Sequence, residues 1–149
     1  MVAISFLLLS GSSAGAQTPF RLVSSSVTSE FPEGIRFKAK VAGDEKVASL
    51  AVRFRIGRAS TGSYNYLDAQ TATGTLGDFE LFWRTNTASR YIPPGTIITY
   101  NFEIEGVGGA RVDTEPQQLI YKDIRFDWSE VTDGPIAVAY HGPVKSRAE

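Results

Sequence analysis

From Phe20 to Lys122, apolar residues recur at every second position in segment after segment, and this period of two constrains the chain more than any other feature. Ile35, Phe37, Ala39 and Val41 alternate with Arg36, Lys38 and Lys40, and Leu50, Val52, Phe54 and Ile56 alternate with Ala51, Arg53 and Arg55. Phe79, Leu81 and Trp83 are spaced by Glu80 and Phe82, and Ile98, Tyr100, Phe102 and Ile104 by Thr99, Asn101 and Glu103. Residues two apart point to the same side of a strand, so each segment has one apolar face and one polar or small face. A helix needs a repeat near 3.6, which this stretch lacks. Breakers stand between the segments: Pro32-Glu33-Gly34, Gly43-Asp44, residues 57–62 and 74–78, Pro93-Pro94-Gly95, and residues 106–109. With a first strand near 22–28, a short one over 64–69 and a last at Leu119 and Tyr121, the pattern predicts an all-β fold. The expected architecture is an antiparallel β-sandwich of about seven strands, immunoglobulin-like or fibronectin type III-like. Tyr100, following Pro93-Pro94-Gly95, stands either at the tyrosine corner of such sandwiches or as an ordinary core aromatic.

Composition mainly removes functions. Fifteen Lys and Arg against sixteen Asp and Glu leave a net charge of −1, with no basic excess for a phosphate backbone and no polybasic run for anionic lipid, so the reading is no nucleic acid and no membrane surface. With no Cys and one His, thiol catalysis, disulfides and Cys/His zinc sites are excluded from this chain. At the amino terminus, residues 2–9 are apolar and run into Ala14-Gly15-Ala16, the pattern of a hydrophobic region with an Ala-x-Ala cleavage site, although no Lys or Arg precedes it. The stretch is too short for a membrane span, which needs roughly 20 apolar residues. Residues 1–16 are therefore expected to be a signal peptide, and the chain to be exported to the cell surface or beyond. The sandwich is expected over 17–123, followed by a connector over 124–135. In the tail, Ile136, Val138 and Tyr140 alternate with Ala137, Ala139 and His141. That strand is either an added edge of the sandwich or, over 136–149, the start of a truncated following domain.

The order of four segments resembles a known family. They are Ser24-Ser25-Ser26-Val27-Thr28-Ser29-Glu30-Phe31-Pro32-Glu33-Gly34-Ile35-Arg36-Phe37, then Tyr91-Ile92-Pro93-Pro94-Gly95-Thr96 leading to residues 100–105, then Thr114-Glu115-Pro116-Gln117, then residues 121–128. Over about residues 20–142 they resemble the extracellular amino-terminal region of bacterial peptidase MA-like proteins, in which an Ig-like sandwich precedes a gluzincin-type zinc metallopeptidase domain. No catalytic residue carries over. A gluzincin needs a His-Glu-x-x-His helix to bind Zn²⁺ and activate water, whereas His141 is followed by Gly142 and Pro143, and proline is hostile to that helix. The resemblance implies a non-catalytic accessory module with no cofactor of its own, zinc belonging only to a peptidase domain missing from this chain. That domain is the partner expected in cis, spaced or docked through Phe126 and Trp128. Residues 143–149 depart from the helical continuation the family would have.

The remaining candidates are weaker patterns. Loop carboxylates at Asp44-Glu45, Asp78 and residues 113–115 are of the oxygen-ligand type that binds Ca²⁺, but they show no ordered ligand series and read as turn residues. Tyr64, Tyr66, Tyr91, Trp83 and Trp128 are of the type that meets a glycan or peptide, being half apolar and half wet. Trp83 shares the register of Phe79 and Leu81 and so belongs to the core. Tyr64 and Tyr66, beside a Ser/Gly loop, remain the best ligand contacts, and they define the alternative function: a stand-alone extracellular module binding a cell-wall glycan or a surface protein through residues 60–66. A Ser-His-Asp set has no support, since no nucleophile elbow is present.

Overall fold

The computed structural model describes residues 18–143, and every regular element among them is a β-strand. The signal peptide expected over 1–16 lies outside the described residues. The strands are β1 (Phe20–Glu30), β2 (Gly34–Gly43), β3 (Val47–Ile56), β4 (Ser63–Tyr66), β5 (Asp68–Thr73), β6 (Leu76–Arg84), β7 (Thr96–Gly106), β8 (Arg111–Asp113), β9 (Gln117–Tyr121), β10 (Trp128–Asp133) and β11 (Ile136–His141). All pairings are antiparallel. One sheet has the order β1-β2-β6-β5, and the other has β4-β3-β7-β8 with β9 also on β7. Together they form an antiparallel β-sandwich.

The apolar faces read from the alternation meet between these sheets. Phe37 of β2 stacks on Phe54 of β3 with ring centroids 5.5 Å apart, and Trp83 of β6 meets the same Phe54 edge-on at 4.7 Å. Ile35, Val41, Leu50, Val52, Ile98, Phe102 and Ile104 complete a core sealed from water. Across the bottom of the sandwich, Ser29 of β1 donates to the Lys122 carbonyl at 2.6 Å and accepts from the Lys122 amide at 3.1 Å. Tyr121 donates its hydroxyl to the Pro32 carbonyl at 3.0 Å and is also hydrogen-bonded to Thr85.

Three details depart from the sequence reading. The strand expected over 64–69 is two strands in different sheets. Tyr64 and Tyr66 end β4, buried Leu67 donates its amide to the Leu50 carbonyl at 2.8 Å, and from Asp68 the chain pairs with β6 in the opposite sheet. The last strand is likewise split into β8 and β9, both on β7. At the break, the Thr114 amide donates to the Phe102 carbonyl at 2.9 Å and its hydroxyl accepts from the Phe102 amide at 2.9 Å; Pro116 has no N–H to continue the ladder. Finally, Tyr100 is a core aromatic rather than a tyrosine corner, because its hydroxyl donates to the Gln117 side chain at 2.9 Å and not to backbone upstream.

Beyond the sandwich, the stretch read as a connector over 124–135 already contains β10, which is the partner of β11 in a separate two-stranded sheet. Gly134, at φ +54°, supplies the left-handed position that a two-residue hairpin loop requires.

Candidate functional site

The polar side of β3, β4, β7 and β8 is a laterally ordered set of side chains, and register places each of them. Arg53 lies opposite Tyr64 on one side and Asn101 on the other; Ala51 lies opposite Tyr66 and Glu103; Ser49 lies opposite Glu105, which faces Arg111. Ala51 presents only a methyl group, so the Glu103 carboxylate spans it to reach Tyr64. Tyr64 donates its hydroxyl to Glu103 Oε1 at 2.7 Å, and Arg53 donates from Nη2 to Glu103 Oε2 at 2.9 Å. Arg111 Nη1 stands 3.9 Å from the same carboxylate and its Nη2 donates to Glu105 at 3.3 Å. Glu103 is 8% exposed, a buried carboxylate with charged and hydroxyl partners on both oxygens. Its hydrogen bond to Tyr64, with burial as the smaller cause, pushes the Tyr64 phenol well above the ordinary tyrosine range.

The two tyrosines singled out from the sequence are brought together here. Tyr64 and Tyr66 meet edge-to-face with centroids 5.4 Å apart, and they remain 43% and 60% exposed. The Arg53 guanidinium lies 5.8 Å from the Tyr64 ring. Two exposed rings therefore stand beside arginine, carboxylate and amide groups on a rigid sheet, which suits a ligand with both apolar and hydroxylated faces. Arg53, Arg55, Asn101 and Glu103 were legible in the sequence only as polar spacers. The signal that would have found them is cross-strand register, which the sequence does not carry.

The other candidates sit apart from this face. Phe126 stacks on His141 at 4.4 Å with planes 15° apart, and Trp128 meets His141 at 5.0 Å while donating from its indole to the Asp123 carbonyl at 2.8 Å. Phe126, ahead of the hairpin, and Trp128, the first residue of β10, thus flank His141 at the end of β11. Tyr91 is exposed, and Trp83 is in the core. Among the loop carboxylates, Glu45 accepts the Gly108 amide, and Asp78 accepts from Thr71 at 2.7 Å and pairs with Lys40 at 3.5 Å. Among the described residues no three His, Cys, Asp or Glu side chains gather to hold a metal ion, and no helix is long and apolar enough to cross a membrane.

No family model matches the sequence, and neither does any curated protein. A solved structure similar in backbone is a bromine derivative of BhCBM56, a carbohydrate-binding module, at a TM-score of 0.48 and 10% identity, over 71% of this chain and 96% of that one.

Proposed function

We infer that this chain is a non-catalytic, exported binding module that recognises a glycan through the outer face of the β4-β3-β7-β8 sheet. The observation that carries the reading is the exposed Tyr64–Tyr66 pair, fixed through the Tyr64 hydroxyl to buried Glu103. A sugar ring offers C–H faces to an aromatic side chain and hydroxyls to its polar neighbours, and this surface supplies both kinds of partner. Rings anchored in a sheet lose little freedom on binding, so their contacts convert into affinity with a small entropic cost. The test is retention of the full chain on a panel of immobilised cell-wall polysaccharides. Tyr66→Ala is expected to weaken retention roughly tenfold, about 1.4 kcal/mol, without shifting thermal unfolding. Retention of no glycan, or equal retention of Tyr66→Ala and Tyr64→Ala with the parent, would overturn the reading.

A second reading follows the family resemblance and makes the sandwich an accessory region beside a zinc metallopeptidase domain. It is favoured by the tail. The β10–β11 hairpin pairs with neither sandwich sheet; its Ala137 and Ala139 line an open groove with exposed Ile97 and Ile120, and Ile136 and Val138 are exposed on its other face. In this reading a neighbouring domain covers that apolar surface and uses the Phe126–Trp128–His141 cluster as its hinge. A His-Glu-x-x-His codon series in frame downstream at the locus is the expected finding, and a stop codon after Glu149 is the outcome that removes this reading.

A further inference from the structure

Next to the tyrosine pair, on the same face, lies a cleft of about 150 Å³ formed by Arg53 and Arg55 of β3, Thr99 and Asn101 of β7, Gly62 of the β3–β4 loop, and Pro116. None of the residues lining it is acidic. Register sets the donors in a square, with Arg53 opposite Asn101 and Arg55 opposite Thr99. Arg53 gives one guanidinium nitrogen to Glu103, and among the described residues Arg55 enters no ion pair. Arg55 therefore brings to the cleft a positive charge that no acidic group among the described residues pairs with. The loop backbone closes on the root of Arg55: a Cβ added at Gly62 would stand 3.0 Å from the Phe54 carbonyl oxygen and 3.3 Å from Arg55 Cγ. A side chain at position 62 would crowd the stem of Arg55, and glycine leaves that space open.

Two guanidinium groups with an amide and a hydroxyl form a donor set matched to an oxyanion, and guanidinium pairs with a carboxylate through two parallel hydrogen bonds. The Tyr64 ring is directly across β3–β4 from Arg53, one strand spacing away, so an anion in the cleft and a ring on the tyrosines lie within one sugar residue of each other. We propose that the glycan is acidic: the carboxylate of a hexuronic acid sits in the Arg53–Arg55 cleft while the adjoining pyranose lies on Tyr64 and Tyr66. This rests on the glycan reading of the same face and adds the substrate class to it.

The experiment is calorimetric titration of the full chain with oligosaccharides of several hexuronic acids, with the same oligosaccharides after reduction of their carboxyl groups to alcohols, and with sulfated neutral oligosaccharides. The acidic forms are expected to bind at least about tenfold tighter than their reduced counterparts, and the margin to shrink as salt rises. Arg55→Gln is expected to bring the acidic form down to the affinity of its reduced counterpart, while Tyr66→Ala weakens both forms by the same factor. Equal affinity of the parent chain for acidic and reduced forms would overturn the acidic assignment and leave the glycan reading standing. Tighter binding of the sulfated forms, or an undiminished acidic preference in Arg55→Gln, would also overturn it. Binding of no member of the panel would overturn this proposal, and failure of the polysaccharide retention test as well would remove the reading beneath it.

Discussion

Glu103 holds Tyr64 and Arg53 at once, and its effect on Tyr64 can be measured without any ligand. A carboxylate that accepts the phenolic proton opposes its loss, which is why Tyr64 titrates well above the ordinary range. In Glu103→Gln the acceptor stays but the negative charge goes. The Tyr64 phenol is then expected to ionise at lower pH than in the parent, read as tyrosinate absorbance against pH. An unchanged titration would mean that the hydroxyl is not held by Glu103. Tyr100 and Tyr121 are raised as well, each chiefly by burial of the phenol. For all three the folded state keeps the proton longer than the unfolded chain, so their stabilising contribution is complete below about pH 10 and is lost as pH rises beyond it. Urea midpoints measured in steps through that alkaline range should fall, and a flat profile would contradict the assignment. At this scale the sequence was half legible. Tyr64 and Tyr66 stood out because large rings beside a Ser/Gly loop have no core role to claim them. Glu103 did not, since a carboxylate between Phe102 and Ile104 looks like any outward spacer until β7 is laid against β3.

Among elements, the alternation located β2, β3, β6 and β7 because each is long and buries mainly one face, the condition under which a period of two is readable. β4 and β5 were fused into one strand because period says which side a residue faces and not which sheet it joins. β5 adds to the ambiguity by burying none of its six residues. β8 has three residues, too few to show a period. β9 matters out of proportion to its length, since Tyr121 carries the link between the β1–β2 turn and the end of β6. There the Tyr121 and Thr85 hydroxyls and the Pro32 carbonyl form a closed triangle in which two protons serve three contacts. Tyr121→Phe removes two of those contacts but leaves Thr85 still donating to Pro32, so the expected loss is only about 1 kcal/mol in chemical denaturation. Glycan retention should be unaffected, because the triangle lies off the Tyr64–Tyr66 face. A loss of several kcal/mol would show that the triangle works as one cooperative unit rather than as separable bonds.

For the whole molecule, the question is whether the sandwich and the tail hairpin unfold together. The sandwich closes its own core, and its two sheets are stitched by Ser29, Lys122 and Tyr121. The hairpin has no such interior: of the twelve residues in β10 and β11, none is buried. Its attachments are local, through Phe126 and Trp128 against His141 and through the Trp128 indole on the Asp123 carbonyl. Asp123 is in turn clasped by Arg125, whose hydrogen bonds hold the carboxyl down at about 2. A two-stranded hairpin without a covered face is marginally stable in water, so these contacts orient the tail more than they stabilise it. Native-state hydrogen exchange on the full chain should therefore show β10–β11 amides opening far more readily than those of β3 and β7, by a factor of at least about a hundred under conditions where only local opening contributes. Protection equal to that of β7 would instead make the hairpin a cooperative part of the sandwich, and with it would go the view of the tail as surface held ready for a neighbouring domain. If the tail does open locally, Trp128→Ala should speed exchange in β10–β11 and leave β3 and β7 untouched, since the indole touches the hairpin's root and nothing in the core.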